Sequence, residues 1–336
     1  MKRSIFSYLI NRILLYALIF IISLSAFFFF INLVPGDPVT RYIQMMEQRY
    51  GLSTPASEIV IQKYKEVFGL DKGLFERYTS YLTRLILHQD FGPSFVAFPK
   101  PAIELILESL PWSVGLLGTS VIIAWLLGVI LGTIVGWKRD SKISSVVFTT
   151  GLVISQIPTY LLAIILVMVF TFWLNLFPMG GAYSAMLQRS FSLPFILSLI
   201  KHAFLPSMSL IFVYVFGTMI SQRALVINVL GEDYIKLAEA KGLKSSRLVN
   251  RYILRNTLLP QATGLALSLG FIVNGFFLIE WIFNYPGIGR LFMMAIREMD
   301  YNVLMGITIT TMFCVLTANL IIEFLYPLID PRIRRG

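Results

Sequence analysis

A chain of 336 residues in which 57% are hydrophobic and only 14% are charged is too apolar to fold as a soluble globule, because it would expose apolar patches far larger than soluble proteins tolerate. The formal net charge of +10 does not indicate nucleic-acid binding, since the sequence has no basic stripe interleaved with aromatic residues. The composition predicts an all-α, polytopic membrane protein.

Long uncharged segments separate the clusters of charge along the chain. Each segment holds about the 20 apolar residues that are needed to cross a hydrocarbon core ~30 Å thick. They predict six transmembrane helices, at residues 10–33, 111–137, 143–173, 204–222, 260–283 and 303–328. Residues 191–200 are interpreted as too short and too interrupted by Ser and Pro to form a further span.

The distribution of Lys and Arg predicts the orientation of these helices. With one span at 143–173, more than half of the 28 basic residues collect on one side of the membrane, and the short loops on the other side hold few. The clusters are at residues 2–12, 138–142, 223–260 and 332–335. The positive-inside rule makes that side cytoplasmic, so both termini are expected in the cytoplasm.

Residues 34–110 are polar enough to form an extracytoplasmic helical region after the N-terminal end and first span at 1–33. A helix is expected over 54–69, which begins with Thr-Pro and ends at a glycine. Another is expected over 75–88, with an apolar face formed by Tyr78, Leu82, Leu85 and Ile86. This region would serve either as a cap on the outer membrane surface or as a contact surface for an extracellular delivery protein.

The middle of each predicted span contains no Asp, Glu, Lys, Arg or His. Ion- and proton-coupled carriers usually need a titratable group there. The sequence therefore disfavours a channel or secondary transporter, which remains the alternative class. It predicts instead that another chain supplies the energy for transport. Glycines such as Gly151 and Gly264 are expected to pack helices together. Gln156 and Asn274 are the candidates for lining a path, because a buried amide can bind a polar substrate.

The sequence offers no pattern for a metal or catalytic site. It has one cysteine, Cys314, and two histidines that lie far apart, His88 and His202. A single cysteine cannot form a disulfide within the chain, and the two histidines have no neighbours at the spacing of a metal-ligand set.

Residues 223–260 form a charged segment between two predicted spans. Acidic residues precede Lys241 in the order that suits a helix dipole, and Gly242 is expected to end that helix. Ser245 or Ser246 would cap a second short helix ending near 258, and Pro260 would start the next span. The two helices predict a cytoplasmic elbow.

The function of this elbow has two interpretations. The small side chains of Ala238 and Ala240 would leave one surface of its first helix shallow enough for the groove of a partner protein. Alternatively, the elbow lies on lipid through apolar side chains, which are Leu243, Leu248, Val249 and Ile253.

The pattern EDYIKLAEAKG (232–242) followed by RNTLLP (255–260) resembles the EAA-type loop of ABC importer permeases, in the form found in the oligopeptide/dipeptide/nickel branch. The chain departs from that pattern at Lys236-Leu237-Ala238, where many such permeases have Glu-Ala-Ala, at Tyr252, and at residues 89–92. Other stretches resemble the same branch in order and at matching spacing: NLVPGDPV (32–39), FGLDKG (68–73), DFGPS (90–94), VNGFFLIEWIFNYPGIGRLFMMAIREMDYNVL (273–304) and LYPLIDPRIR (325–334).

This resemblance implies a type I ABC importer permease fold, with a permease core at 111–336, in a prokaryotic cell membrane. It implies one of two related membrane subunits, pairing with two cytoplasmic ATP-binding subunits and an external substrate-binding protein. ATP and Mg²⁺ would bind those partners, and this chain would be non-catalytic and hold no cofactor. By position, the residues that couple the permease to the ATPase would be Asp233, Tyr234, Ala238, Ala240, Lys241 and Gly242. The implied function is translocation of peptides by alternating access, with nickel or another small solute as the alternative substrate.

Overall fold

The computed structural model describes residues 5–33, 62, 63, 66, 71–95, 97–270 and 277–329, which are helical apart from turns, loops and one isolated β-bridge between Pro93 and Pro101. Two π-helical segments occur, Val167–Trp173 after the helix Thr159–Leu166 and Val249–Ile253 between the helices Ser245–Leu248 and Leu254–Gly270. The described helices are α1 (Ile5–Asn32), α2 (Leu74–His88), α3 (Ala102–Trp137), α4 (Lys142–Ile154), α5 (Thr159–Leu166), α6 (Leu193–Leu230), α7 (Asp233–Ala240), α8 (Ser245–Leu248), α9 (Leu254–Gly270), α10 (Phe277–Ile282), α11 (Ile288–Arg297) and α12 (Tyr301–Ile329).

Among the described residues, three helices are long and apolar enough to cross a membrane: the 10–32 part of α1, α3 and α6. Helices α4 and α5, together with the π-helical segment, qualify as a fourth if they count as one bent span. The apolar segment Tyr301–Thr317 of α12 is shorter. The all-α membrane class is therefore confirmed, and the number of six spans remains a prediction.

The structure corrects the predicted span at 143–173, which is not one straight helix. Helix α4 ends at Ile154 and α5 starts after Pro158, with a bend of 93° between them. Proline has no N–H for a helical hydrogen bond and disfavours helical geometry at the residue before it, so the break falls at this position.

Two other spans are longer than predicted. Helix α3 begins at Ala102, nine residues before the predicted start of this span. Its first turns contain Glu104 and Glu108, which interrupt the uncharged segment but not the helix, because both form ion pairs with Lys100 at the surface. Helix α6 includes residues 193–203, which the sequence assigned to a loop. Pro194 lies in its first turn, where a missing N–H costs nothing, and Pro206 lies inside the helix.

The chain divides into two compact units, of which the first comprises Met1–Pro111 and Gly287–Gly336. In this unit α2 packs against α1. The ring centroids of Phe28 and Tyr81 lie 5.6 Å apart, and Ser25 Oγ and Tyr78 Oη share a hydrogen bond of 2.5 Å. The helix predicted over 75–88 is confirmed. Its buried face contains Tyr81 and not Ile86, which is 70% exposed. The helix predicted over 54–69 lies outside the described residues except at 62, 63 and 66.

A buried carboxylate, that of Asp300, fixes the loop before α3 to the start of α12 within the first unit. Asp300 Oδ2 accepts hydrogen bonds from Ser94 Oγ at 2.6 Å and from the backbone N–H of Phe95 at 2.7 Å. Its Oδ1 accepts from the N–H of Val303 at 3.1 Å and thereby caps α12. Nearby, Asn302 Nδ2 donates to the carbonyl oxygen of Pro93 at 2.8 Å.

The second unit, Trp112–Pro286, contains α4 to α10 and most of α3. Gly128, Gly132 and Gly136 lie one turn apart on the side of α3 that faces α6. A Cβ atom on Gly132 would lie 2.6 Å from the backbone oxygen of Met219, and one on Gly128 would lie 2.8 Å from that of Val215. Small residues at this spacing allow two membrane helices to approach to backbone contact.

Glycines elsewhere in the second unit have different surroundings. The predicted packing role is confirmed for Gly151 of α4, where a Cβ would lie 2.5 Å from Met219 Cε. It is wrong for Gly264 of α9, because a Cβ there would meet nothing within 4 Å in the described residues.

Gln222, which is fully buried, links three helices of the second unit. Its Nε2 donates to Thr133 Oγ1 of α3 and to Thr257 Oγ1 of α9, each at 2.9 Å. Such interhelical hydrogen bonds between side chains stabilise helix association in an apolar environment.

The glycine contact predicts different effects for two alanine substitutions on α3. Gly132→Ala should destabilise the protein by about 1–3 kcal/mol, because the new methyl group meets immobile backbone atoms of α6. Gly115→Ala is the matched control, since a Cβ there meets nothing within 4 Å in the described residues. Thermal unfolding in detergent measures both, and equal midpoints for the two variants would contradict the proposed contact.

The anchor at Asp300 predicts that Asp300→Asn costs about 1.5–3 kcal/mol, because hydrogen bonds to a charged acceptor are lost. The variant should also become more sensitive to proteolysis between residues 89 and 101. Glu108→Gln makes the same chemical change at a surface ion pair and should have little effect. Cleavage at the same rate in both variants would show that Asp300 does not hold this loop.

Candidate coupling site

The elbow predicted between two spans is present, with a different construction. Helix α6 continues to Leu230, a turn at Gly231 and Glu232 follows, and α7 (Asp233–Ala240) runs as a separate short helix. The expected second short helix is instead the start of a long one, because α8, the π-helical segment and α9 continue to Gly270 with Pro260 inside. Ser245 is the first residue of α8, and Lys244 occupies the capping position.

The turn after α7 has the hydrogen bonds of a Schellman motif. The N–H of Leu243 donates to the carbonyl oxygen of Ala238 at 3.3 Å, and the N–H of Gly242 donates to that of Glu239 at 2.8 Å. Gly242 has a φ of +72°, which residues with a side chain rarely adopt. The prediction that Gly242 ends the helix is confirmed.

One face of α7 packs against the rest of the elbow. Ile235 and Ala238 are 1% and 4% exposed and belong to a buried apolar cluster whose other members are Val226, Leu248 and Ile253. The prediction that Ala238 forms part of a shallow outer surface is therefore wrong. Helical periodicity explains the difference, because Ala238 follows Ile235 by three residues and points to the same side.

The cluster also bears on the lipid-lying alternative. Leu248 and Ile253 are 1% and 0% exposed in the core of the elbow, and Leu243 and Val249 are partly buried against it. These side chains are used inside the protein and do not form a surface for lipid.

The opposite face of α7 is exposed, and we call its residues Asp233, Leu237 and Ala240, with the flanking Lys236 and Lys241, the outer ridge. Leu237 is 57% exposed at the centre of this ridge, and Lys236 Nζ lies 3.0 Å from Asp233 Oδ1. The small residues on which the sequence prediction rested did not indicate Leu237. Its position four residues after Asp233 and three before Ala240 is the signal that places it on the same face.

Tyr234 lies at the edge of the outer ridge and is 41% exposed. Partial burial, together with the charge of Glu232, raises the pKa of its hydroxyl group. Tyr234 is therefore a neutral hydrogen-bond donor at physiological pH.

The elbow is continuous with the packed helices of the second unit. Val226, in the elbow cluster, contacts α3 where a Cβ on Gly136 would lie 2.8 Å from its Cβ. Thr257, one turn after Ile253 of the same cluster, accepts the hydrogen bond from Gln222. Buried contacts therefore connect α7 with α3, α6 and α9.

Of the two residues predicted to line a path, Gln156 lies within the described residues, and its role stays a prediction. Gln156 is exposed at the bend between α4 and α5, where its Nε2 lies 3.4 Å from Ser155 Oγ. Asn274 lies outside the described residues. Within the described part of the chain, no group of three or more His, Cys, Asp or Glu side chains could hold a metal ion.

Comparison with known proteins gives relatives over nearly the full length. The chain is 32% identical over 327 residues to the oligopeptide transport system permease protein AppB of Bacillus subtilis (strain 168), covering 97% of this chain and 99% of the relative. It is 27% identical over 327 residues to the dipeptide transport system permease protein DppB of Lactococcus lactis subsp. cremoris (strain MG1363), with the same coverage. It is 30% identical over 332 residues to the glutathione transport system permease protein GsiC of Escherichia coli (strain K12), covering 98% and 99%.

Residues 128–335 match the family described as binding-protein-dependent transport system inner membrane component. This match includes the elbow and the helices that carry it, and together with the apolar helices it identifies an integral membrane protein of bacteria. The chain belongs to this family of ABC importer permeases, whose members are generally non-catalytic and work with ATP-binding and substrate-binding partners.

Proposed function

We propose that this chain is the transmembrane permease subunit of an ATP-driven, binding-protein-dependent importer that translocates peptides by alternating access. The elbow is the observation that carries this proposal. Its inner face is fixed to α6 and α9, and its outer ridge exposes Leu237 between charged side chains. An apolar side chain at the centre of a short exposed helix suits insertion into the groove of a partner.

The partners are a homologous sister permease that completes a heterodimer, two cytoplasmic ATP-binding subunits and an extracytoplasmic substrate-binding protein. ATP and Mg²⁺ bind to the ATP-binding subunits, and this chain binds no cofactor. The coupling residues are Asp233, Tyr234, Leu237, Ala240 and Lys241 at the contact. Ala238 and Gly242 position them, since Ala238 lies on the buried face of α7 and Gly242 ends this helix.

The chain crosses the inner or plasma membrane six times with both termini in the cytoplasm. Helices α4 and α5 together form the third span, α9 belongs to the fifth, and α12 is the sixth. The clustering of Lys and Arg near the termini, at 138–142 and in the elbow supports this orientation.

The mechanism is mechanical coupling. Closure of the ATP-binding subunits displaces α7, and the buried cluster transmits the movement to α6 and α9. Since the glycine contact and Gln222 tie these helices to α3, the unit moves as a packed body and not by bending at the elbow. Rigid-body movement of this kind switches access between the two sides of the membrane.

Peptides are the substrate class supported best, because the relatives carry names for oligopeptide, dipeptide and glutathione transport. Nickel or another small solute is supported less, since none of these names refers to one. Membership of the permease family also weighs against the alternative of a channel or secondary transporter.

The proposal is tested by purifying the chain with the products of its neighbouring genes and reconstituting the complex in proteoliposomes. We expect ATP hydrolysis that the binding protein stimulates and peptide uptake that requires ATP. Uptake without ATP, or a chain that copurifies with no ATP-binding subunit, would contradict it.

The outer ridge predicts that Leu237→Asp weakens binding of the ATP-binding subunits by about 2 kcal/mol or more, because a charge replaces an apolar group at the centre of the contact. The fold of the elbow should persist, since the Leu237 side chain is not in the buried cluster. Copurification and stimulated ATP hydrolysis measure the effect. Glu239→Gln, an exposed change beside the ridge, is the control, and equal losses in the two variants would argue against the ridge.

The turn at Gly242 predicts that Gly242→Pro abolishes uptake while the chain still inserts into the membrane. Proline cannot adopt a φ of +72°, and it removes the N–H that binds the Glu239 carbonyl oxygen. Gly242→Asn should retain most uptake, because asparagine tolerates left-handed geometry. Normal uptake in the proline variant would show that this turn is not required for coupling.

A further inference from the structure

The second unit contains a cavity of about 290 Å³ with walls from α3, α6 and α9. Its polar lining comes from Thr218, Ser221, Gln261 and Ser268, and none of its lining residues is charged. The cavity lies on membrane-embedded helices, away from the outer ridge, and its volume is at the lower end of ligand sites, which hold about 300–1,000 Å³.

Two glycines open this cavity. Gly217 of α6 and Gly264 of α9 line it, and a Cβ atom on either would meet nothing within 4 Å in the described residues. By contrast, a Cβ atom on Gly128 or Gly132 of α3 would lie 2.8 or 2.6 Å from a backbone oxygen of α6. Gly217 and Gly264 therefore do not bring these helices together; they keep side chains out of a space.

The polar groups around this space are oriented by hydrogen bonds. Trp125 Nε1 donates to the backbone oxygen of Gln261 at 3.1 Å, and Gln261 Nε2 donates to Ser221 Oγ at 3.1 Å. Gln261 is 6% exposed, and its side-chain oxygen accepts no hydrogen bond from the described residues. The Ser221 hydroxyl group uses its oxygen for Gln261 and keeps its proton for another acceptor.

A free amide oxygen next to a free hydroxyl donor matches one chemical group closely. The N–H and C=O of a peptide bond are a neutral donor and acceptor, and Gln261 and Ser221 offer the complementary acceptor and donor. Lipid cannot satisfy these side chains, and unpaired polar groups in hydrocarbon are costly.

We propose that this cavity is a section of the translocation path that binds the main chain of the transported peptide through Gln261 and Ser221. The inference rests on the proposed function and adds a selection rule: the site binds backbone amides with neutral groups, so peptides with different side chains are accepted. The alternative occupant is a helix of the sister permease, and the labelling test described below distinguishes the two.

The cavity also shares its walls with the coupling elements. Ser221 precedes Gln222 on α6, and Gln261 follows Thr257 by one turn on α9, so both ends of the Gln222–Thr257 hydrogen bond adjoin the cavity. A movement of the elbow that passes through this hydrogen bond would therefore reach two walls of the cavity.

A cavity-filling experiment tests the proposal. Gly217→Trp and Gly264→Trp should each lower peptide uptake by about tenfold or more, because the indole occupies the space, while assembly and ATP hydrolysis are retained. Gly115→Trp is the matched control, since Gly115 also has no neighbour within 4 Å in the described residues and does not line the cavity. Normal uptake in both cavity variants, in a complex whose wild type imports peptide, would overturn this inference and leave the proposed function intact.

Thiol labelling provides a second measurement that does not depend on bulky variants. The chain has one cysteine, so Cys314→Ser gives a background for Ser221→Cys or Ser268→Cys. In the assembled complex we expect modification by a charged, water-soluble methanethiosulfonate reagent and protection by added peptide. Labelling only in the chain without its sister would identify a subunit interface, labelling only by an apolar reagent would identify a lipid-facing surface, and either result would overturn the proposal. A wild-type complex that fails to import peptide would overturn the proposed function first.

Discussion

The close approach of α3 and α6 is the constraint on which the second unit depends. Without side chains at Gly128, Gly132 and Gly136, the two backbones come near enough for Gln222 to reach Thr133 as well as Thr257. The same approach places Val226 against α3 and so fixes the base of the elbow cluster. The hydrophobic effect does not drive helix association inside a lipid bilayer, so close packing and interhelical hydrogen bonds have to stabilise it.

Buried polar groups in this chain follow two different arrangements. Asp300 accepts hydrogen bonds from a loop and a helix start, and Gln222 donates to two helices, so each holds elements in place. Gln261 donates to only one side chain, and its unpaired side-chain oxygen belongs to a residue that lines a cavity, whereas the unpaired side-chain oxygen of Gln222 is buried. The first arrangement gives rigidity, and the second leaves binding capacity for a molecule that is not part of the chain.

The sequence predicted the class and the place of the elbow because charge spacing and glycine chemistry are local properties. Gly242 is an example, since a glycine directly after a short helix favours the left-handed conformation that ends the helix. The bend at Pro158 and the inclusion of residues 193–203 in α6 were not predicted, because a proline can start, bend or interrupt a helix depending on what packs around it. The sides taken by Ala238, Leu237 and Gly264 depend on the rotation of each helix against its neighbours, which composition does not encode.

The two functions of Asp300 have a consequence for protein engineering. One carboxylate caps α12 and also receives the loop around Ser94 and Phe95, while Asn302 binds the carbonyl oxygen of Pro93. Residues 93–95 and 300–303 are therefore a single module formed by two distant parts of the chain. A chimera that takes one of these segments from a relative should take the other as well, because a graft of either alone would put the hydrogen bonds between them at risk.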